Sequence, residues 1–507
     1  MDNANVITQQ AACFNAFDEE LASRFEYYFL NPMSRKTIVI IPSLSFDPEM
    51  IAKLTAYIHY EERMLCMLNL LQMPNTHVVY LSSLPIDEAI IDYYLFLLFG
   101  TSSRQARQRL TLLNCSDSSN RPLTDKVLER HYLIAQIRQS IPPDHIAYLE
   151  GYNITYREQE LASRLAIPLY GCPVNLSYWG TKSGSREIFR RLGLPLLPGY
   201  ENLKNMRQVA EVLGDLKREY PRLTKAVVKL NEGTSGAGNA VYCFQKNSST
   251  PDEDNLRKYL NIIDKYQNYD IYSENLNRMG GIVEAFLEKG EKRTPSVQCQ
   301  INPLKQIKVL STHDQVMDEK SGHAFMGCRF PADLIYAREI SEMGFSVANE
   351  MSRIGVIGSF SLDFISTKIN GRWEHYALEI NLRKGGATHP YLMLQSLTNG
   401  NYDYNTCTYS TLSGSNHYYF ATDNLQSDAY KGITPNNLID IAICHGIHFD
   451  VNIQEGVIFH LLGALPEYGK VGLVCIGSTP ERVQELYQTT IRVLDARMKK
   501  EYRQASC

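Results

Sequence analysis

The chain has 507 residues, 44% hydrophobic and 21% charged, with a net charge of −4. The length sets an expectation of roughly three domains with sizeable cores, and the charge gives no electrostatic case for nucleic acid or an acidic membrane. No apolar run approaches the ~20 residues of a membrane span. The opening MDNANVITQQ lacks the basic start and apolar core of a signal peptide, and the 11 cysteines include no Cys-x-x-Cys pair, so a cytoplasmic chain without a disulfide framework is expected.

In chain order, Ile7–Leu30 carries a helical apolar pattern (Phe14, Phe17, Leu21, Phe25, Tyr28), and an alternating series follows. Strands are predicted at Thr37–Pro42, His77–Ser82, Leu110–Asn114 and Ile146–Leu149. Between them lie helices at Asp47–Leu71, Asp87–Phe99 and Asp125–Ser140. Strand–helix alternation predicts an α/β sheet covered on both faces. No G-x-G-x-x-G follows the first strand, so this layer is Rossmann-like without the dinucleotide fingerprint. Helices are predicted at Tyr156–Leu165 and Ser183–Leu192. A strand at Gly281–Leu287 and further strands over Pro295–Leu310 and Gly355–Glu379 suggest a mostly antiparallel sheet. After about Ser410 come mixed helices, a strand at Val471–Ile476 and a long helix, Pro480–Lys500.

Two segments carry chemistry. In AVVKLNEGTSGAGNAVY, Lys229 ends an apolar strand and a small-residue turn follows: Gly233, Thr234, Ser235, Gly236, Ala237, Gly238. Such a turn exposes backbone N–H groups to a phosphate, with the lysine charge beside them. No Gly-Lys-Ser/Thr closes it, so it is not a Walker A loop. The second segment is a hairpin. FSLDFI (Phe360–Ile365) and ALEIN (Ala377–Asn381) flank Asn370-Gly371, the strongest short hairpin signal. Alternation puts Phe360, Leu362 and Phe364 on one face with Leu378 and Ile380, and Asp363, Glu379 and Asn381 on the other. A strict two-residue turn would pair Asp363 with Leu378, so a shared acidic face requires a bulge or an odd-length loop. Carboxylates opposed across a ladder repel; a hard cation such as Mg²⁺ between them resolves that cost. A phosphate cradle plus a divalent-metal cluster is the equipment of an enzyme that uses ATP.

Beyond Asn381, Arg383 shares its strand face, where a guanidinium can hold a phosphoryl or carboxylate oxygen. Lys384 and His389 read as well as solvation and capping residues, and Arg329 is a further basic candidate. His460, in VIFHLLG, reads better as a packed histidine than as a phosphate carrier.

These residues resemble the ATP-grasp superfamily, and within it the pheganomycin-type peptide ligases. The phrases GTKSGSR, VVKLNEGTSGAGNA, EINLRKGGATHP and GVIFHLLG carry the likeness. The resemblance implies a pre-ATP-grasp-like α/β domain over 1–172. It implies an ATP-grasp small subdomain over 173–290 with the glycine loop, a large subdomain over 291–410 with the metal site, and a C-terminal cap over 411–507. It implies Lys182 and Lys229 on the ATP phosphates, Glu284 with the Ala285 and Leu287 backbones at adenine, and Glu291 (or Glu288) at the ribose. Asp363, Glu379 and Asn381 match a D…E-x-N magnesium motif, for two Mg²⁺ ions with Mn²⁺ as a substitute. The implied activity is ATP-dependent ligation of a small carboxylate to an amine, amino acid or peptide through an acylphosphate. Arg383 and Arg329 would act on the oxyanion and His389 as base. A homodimer is compatible with it. The alternatives are a degenerate nucleotide-binding scaffold or another ATP-grasp chemistry such as acyl-CoA synthesis. One departure stands out: Ser361 lies where many such ligases place an arginine.

Overall fold

The computed structural model describes residues 19–233, 238–245, 251–264, 266–288, 290–317 and 325–505, with side chains to 496. Thr234, Ser235, Gly236 and Ala237 therefore lie outside the described residues, as do residues 7–18 of the helix expected over 7–30.

The alternating N-terminal series forms a five-stranded parallel sheet of order β3-β2-β1-β4-β5. Its strands are β1 (Lys36–Ile41), β2 (Thr76–Ser82), β3 (Leu110–Asn114), β4 (Ile146–Gly151) and β5 (Leu169–Tyr170). Ile38 and Ile40 face one core and Val39 and Ile41 the other, as a sheet covered on both faces demands.

Two expected helices differ. Asp47–Leu71 is not one α-helix: Pro48–Ile51 is a short turn capped by Asp47, Ala56 takes a left-handed φ of +61°, and Tyr57–Gln72 is a 3₁₀ helix. Leu65, Leu68 and Leu71 are all buried, and spacing by three is what a three-residue turn lines up. Asp125–Ser140 is likewise two helices, Leu123–Leu128 and His131–Gln139.

A second sheet, order β6-β10-β7-β8-β9, joins β6 (Gly199–Leu203), β7 (Lys225–Leu230), β8 (Asn239–Cys243), β9 (Leu260–Ile262) and β10 (Gly281–Ala285). The third has eight strands, β15-β14-β11-β12-β13-β18-β20-β19. In it run β11 (Lys292–Ile301), β12 (Ile307–Met317), β13 (Phe325–Phe330), β14 (Gly358–Ile369) and β15 (Arg372–Asn381). After a small hairpin of β16 (Asn401–Asp403) and β17 (Thr408–Ser410), the chain returns as β18 (Tyr418–Gln426), β19 (Gly456–His460) and β20 (Lys470–Gly477). After Ser410, β18 pairs with β13 and extends the sheet that carries the acidic hairpin. The cleft between these parts is about 1810 Å³, larger than one small-molecule pocket needs.

Candidate active site

The β14–β15 hairpin turns at Asn370 and Gly371, with φ of +50° and +82°, the positive pair a type I′ turn requires. Pairing runs Ile369↔Arg372 to Phe364↔Ala377, then shifts to Asp363↔Glu379. Leu378 is the extra residue of this bulge and leaves the core face for the cleft wall; Ala377 takes the place expected of it beneath Phe364. Asp363, Glu379 and Asn381 share the cleft face. Gln315 Nε2 donates to Asp363 Oδ1 at 3.0 Å and Asn381 Nδ2 to Oδ2 at 3.1 Å.

Burial, then the opposed Glu379, pushes the Asp363 carboxyl up to about 7. Burial also pushes Glu379 up, but Lys182 and Lys229 outweigh it and hold it below the usual carboxylate range. Two carboxylates and an amide oxygen are hard ligands, and an acid that resists ionising beside another acid is a place short of positive charge. The residues fit Mg²⁺. A stability signature follows. Between 3.8 and about 7, the folded chain keeps a proton on Asp363 that the unfolded chain has lost, so this group makes metal-free stability fall as pH rises through that window. Asp363→Asn should flatten that slope in thermal melts with chelator, and Mg²⁺ should raise the melting temperature more at pH 8 than at pH 5. An unchanged slope in the variant would remove the assignment.

The helix Lys182–Arg191 begins at Thr181, whose Oγ1 accepts from Gly184 N at 3.1 Å. Ser185 Oγ accepts from Ile380 N at 2.9 Å, docking the helix on β15. Lys182 Nζ then lies 3.2 Å from Glu379 Oε2 and 3.5 Å from Gly233 O. Lys229, on β7, pairs with Glu284 of β10. Asn231 joins the two lysine elements: its Oδ1 accepts from Ser183 N at 3.0 Å and Ser183 Oγ at 2.7 Å. At the far side of the glycine turn, Gly238 has φ +85°, and Tyr272 OH shares its one proton between the Val228 and Gly238 carbonyls, each at 3.0 Å.

The hinge differs from expectation in its side chains. Glu284, Ala285 and Leu287 line the cleft. The Glu284 carboxylate is 2% exposed and held by Lys229 and, at 3.4 Å, by Arg186, so it serves the cations rather than reading a base. The Ala285 N–H is spent on Pro198 O at 2.8 Å. Glu291 pairs with Arg293 at 3.3 Å and does not line the cleft, and neither does Glu288, which bonds Thr224.

At the other end of the cleft, Arg383 stacks over Phe46 at 5.5 Å and donates to Lys384 O at 3.1 Å and Asn381 Oδ1 at 3.4 Å. Arg329 is exposed on the wall and makes no ion pair among the described residues. Lys384 is an architectural tie, bound to Glu150 and, at 2.7 Å, to Gly151 O of the N-terminal sheet. The 3₁₀ helix Tyr57–Gln72 and the loop after β4 also bring Arg63 and Tyr152 to the cleft, a contribution the sequence did not signal. His389 does not reach it: the ring is 5% exposed and packed on His460, with Nε2 atoms 3.0 Å apart. Burial, then His460, holds it far below the usual histidine range, so it is not the amine's base.

A family model described as IQCH-like, ATP-grasp matches residues 173–250 and 253–405, and one described as PGM1 C-terminal domain matches 438–490. The chain is 28% identical to the L-propargylglycine–L-glutamate ligase of Streptantibioticus cattleyicolor over 466 residues, 90% of this chain and 93% of that protein. It is 22% identical to IQ motif-containing protein H of Danio rerio over 426 residues, 74% of this chain and 40% of that protein. Among solved structures it is similar to the biotin carboxylase domain dimer of Hydrogenobacter thermophilus 2-oxoglutarate carboxylase with MgADP, ADP and bicarbonate (12% identity, TM-score 0.56, 90% and 89% of the two chains). Campylobacter jejuni biotin carboxylase in its β,γ-ATP complex is comparable (14% identity, TM-score 0.53, 88% and 89%). These last two likenesses establish the fold.

Proposed function

We propose that this chain, whose residues 173–250 and 253–405 match the IQCH-like, ATP-grasp family model, is an ATP-dependent carboxylate–amine ligase joining amino-acid-sized substrates. The observation that carries this reading is the content of one cleft. The acid cluster Asp363–Glu379–Asn381, the lysines Lys182 and Lys229, and the guanidinium groups of Arg329 and Arg383 all line it. Its size leaves room for two substrates beside a nucleotide.

In this reading the donor carboxylate attacks the γ-phosphorus of ATP. ADP leaves, and an amine displaces phosphate from the acylphosphate. Lys182 and Lys229 exchange Glu379 and Glu284 for phosphate oxygens when nucleotide binds. Asp363, Glu379 and Asn381 would hold Mg²⁺, two ions in the full complex and Mn²⁺ as a substitute; bound there, the ions neutralise phosphate charge. Arg383 and Arg329 offer donors to the oxyanion, the office left open by Ser361. Asn381 Oδ1, which accepts from Arg383 at 3.4 Å, would be the oxygen offered to such an ion, and Arg383 would then be free for the substrate. The relative named for ligating propargylglycine to glutamate supports an amino-acid acceptor.

The test is ADP release with ATP and Mg²⁺ against pooled amino acids and short peptides, followed by mass spectrometry. The expected product has the summed mass of two pool members minus water. ADP release accompanied only by thioesters or phosphorylated products would sink the ligase assignment.

A further inference from the structure

His389, Asp423 and His460 come from three elements that are distant in sequence: the helix Thr388–Thr398, β18 and β19. Their ligand atoms converge inside the fold. His460 Nε2 lies 2.6 Å from Asp423 Oδ1, His389 Nε2 lies 3.6 Å from the same oxygen, and the two Nε2 atoms are 3.0 Å apart. All three side chains are buried, the histidines at 5% and 2% exposure. Asp423 sits where the β18–β20 register shifts, between Thr422 and Leu425. The site is also built around the His460 ring: opposite it in the ladder stands Gly472, and a Cβ there would fall within the ring.

Hydrogen bonding alone does not satisfy this trio. Each neutral imidazole carries one N–H, and both Nδ1 atoms are buried without a partner among the described residues. A proton on His460 Nε2 serves Asp423 and leaves the His389 nitrogen facing an N–H already committed. A proton on His389 Nε2 serves His460 and leaves a lone pair against a carboxylate. We propose that His389, Asp423 and His460 bind one divalent transition-metal ion of the Zn²⁺ type, separate from the Mg²⁺ cluster. Ligand atoms each about 2.0–2.2 Å from such an ion lie roughly 3–3.5 Å apart, near two of the edges present; the 2.6 Å edge would open on loading. Imidazole nitrogen suits such an ion better than it suits Mg²⁺. Asp423 gives its other oxygen to Arg63, which orients the carboxylate as outer partners of metal ligands do. Three protein ligands leave a position for water or a substrate atom, and Asp423 and Arg63 both line the cleft.

The test is titration of the chelator-stripped full chain with Co²⁺ in excess Mg²⁺, which occupies the hard-oxygen cluster. One equivalent should bind and give visible absorption several-fold stronger than aqueous Co²⁺. That absorption should be lost in His389→Gln, in His460→Gln and in Gly472→Ala, which intrudes on the His460 ring, and kept in Asp363→Asn. A cooperative thermal melt certifies the fold of each variant. An aqueous-type spectrum in the wild-type chain overturns the proposal. So does a bound spectrum that persists in the folded histidine variants, or one that disappears with Asp363→Asn.

Discussion

Glu379→Gln is expected to lower ADP release by roughly 10²–10³-fold or more, the scale of losing one group aimed at developing charge. The substitution keeps shape and removes charge. What singles it out is the accompanying stability pattern. In chelator the variant loses the 3.2 Å contact of Lys182 with a charged partner, but Asp363 loses the like charge set directly opposite it in the ladder. Those changes oppose each other, so the metal-free melting temperature should stay close to wild type, and the rise produced by Mg²⁺ should largely vanish. A merely structural Glu379 would show the reverse, a destabilised chain with residual Mg²⁺ response. Near-normal ADP release with an unchanged Mg²⁺ requirement would remove the metal assignment.

The acidic hairpin was legible because two local rules conflict there in an informative way. Asn-Gly fixes the turn, alternation fixes the faces, and the two agree only through a bulge; the bulge is at Leu378. The parallel sheet was legible for a similar reason, since its strands are short apolar runs separated by helical spacing. What stayed hidden depends on contacts made at a distance. The spacing of Leu65, Leu68 and Leu71 is the one local trace of the 3₁₀ winding of Tyr57–Gln72, and nothing local says that strands after Ser410 join the sheet begun at Lys292. The fate of His389 turned on His460, 71 residues on, and a motif read along the chain places the first histidine near the chemistry without showing which way it faces. Arg186 did leave a local trace, four residues from Lys182 on the same helical face, yet its burial depends on Glu201 and Glu284 from two other strands.

That arginine carries the second large effect. Arg186→Met should cost about 3–5 kcal/mol of stability, the range for removing one partner of a buried charge pair. The guanidinium is among the most buried side chains of the molecule, 3.3 Å from Glu201 Oε2 and 3.4 Å from Glu284 Oε2, and it donates to Leu197 O at 3.1 Å. Without it Glu284 depends on Lys229 alone, and Lys229 is the residue proposed to leave for phosphate when ATP binds. Lys229→Met should behave differently. Arg186 remains on Glu284, so stability falls less, while nucleotide affinity falls by about 2 kcal/mol or more, at least roughly 30-fold. Adding Glu284→Gln to each variant separates the roles: it should restore much of the stability lost in Arg186→Met by removing the stranded charge, and should restore none of the affinity lost in Lys229→Met. Urea unfolding and calorimetric titration with a non-hydrolysable ATP analogue read the two quantities independently. If Arg186→Met costs under about 1 kcal/mol, the contacts of Arg186 with Glu201 and Glu284 are not those of a buried ionic cluster. If Lys229→Met binds the analogue like wild type, the lysine is only Glu284's counter-ion, and the phosphate-binding charge must come from Lys182.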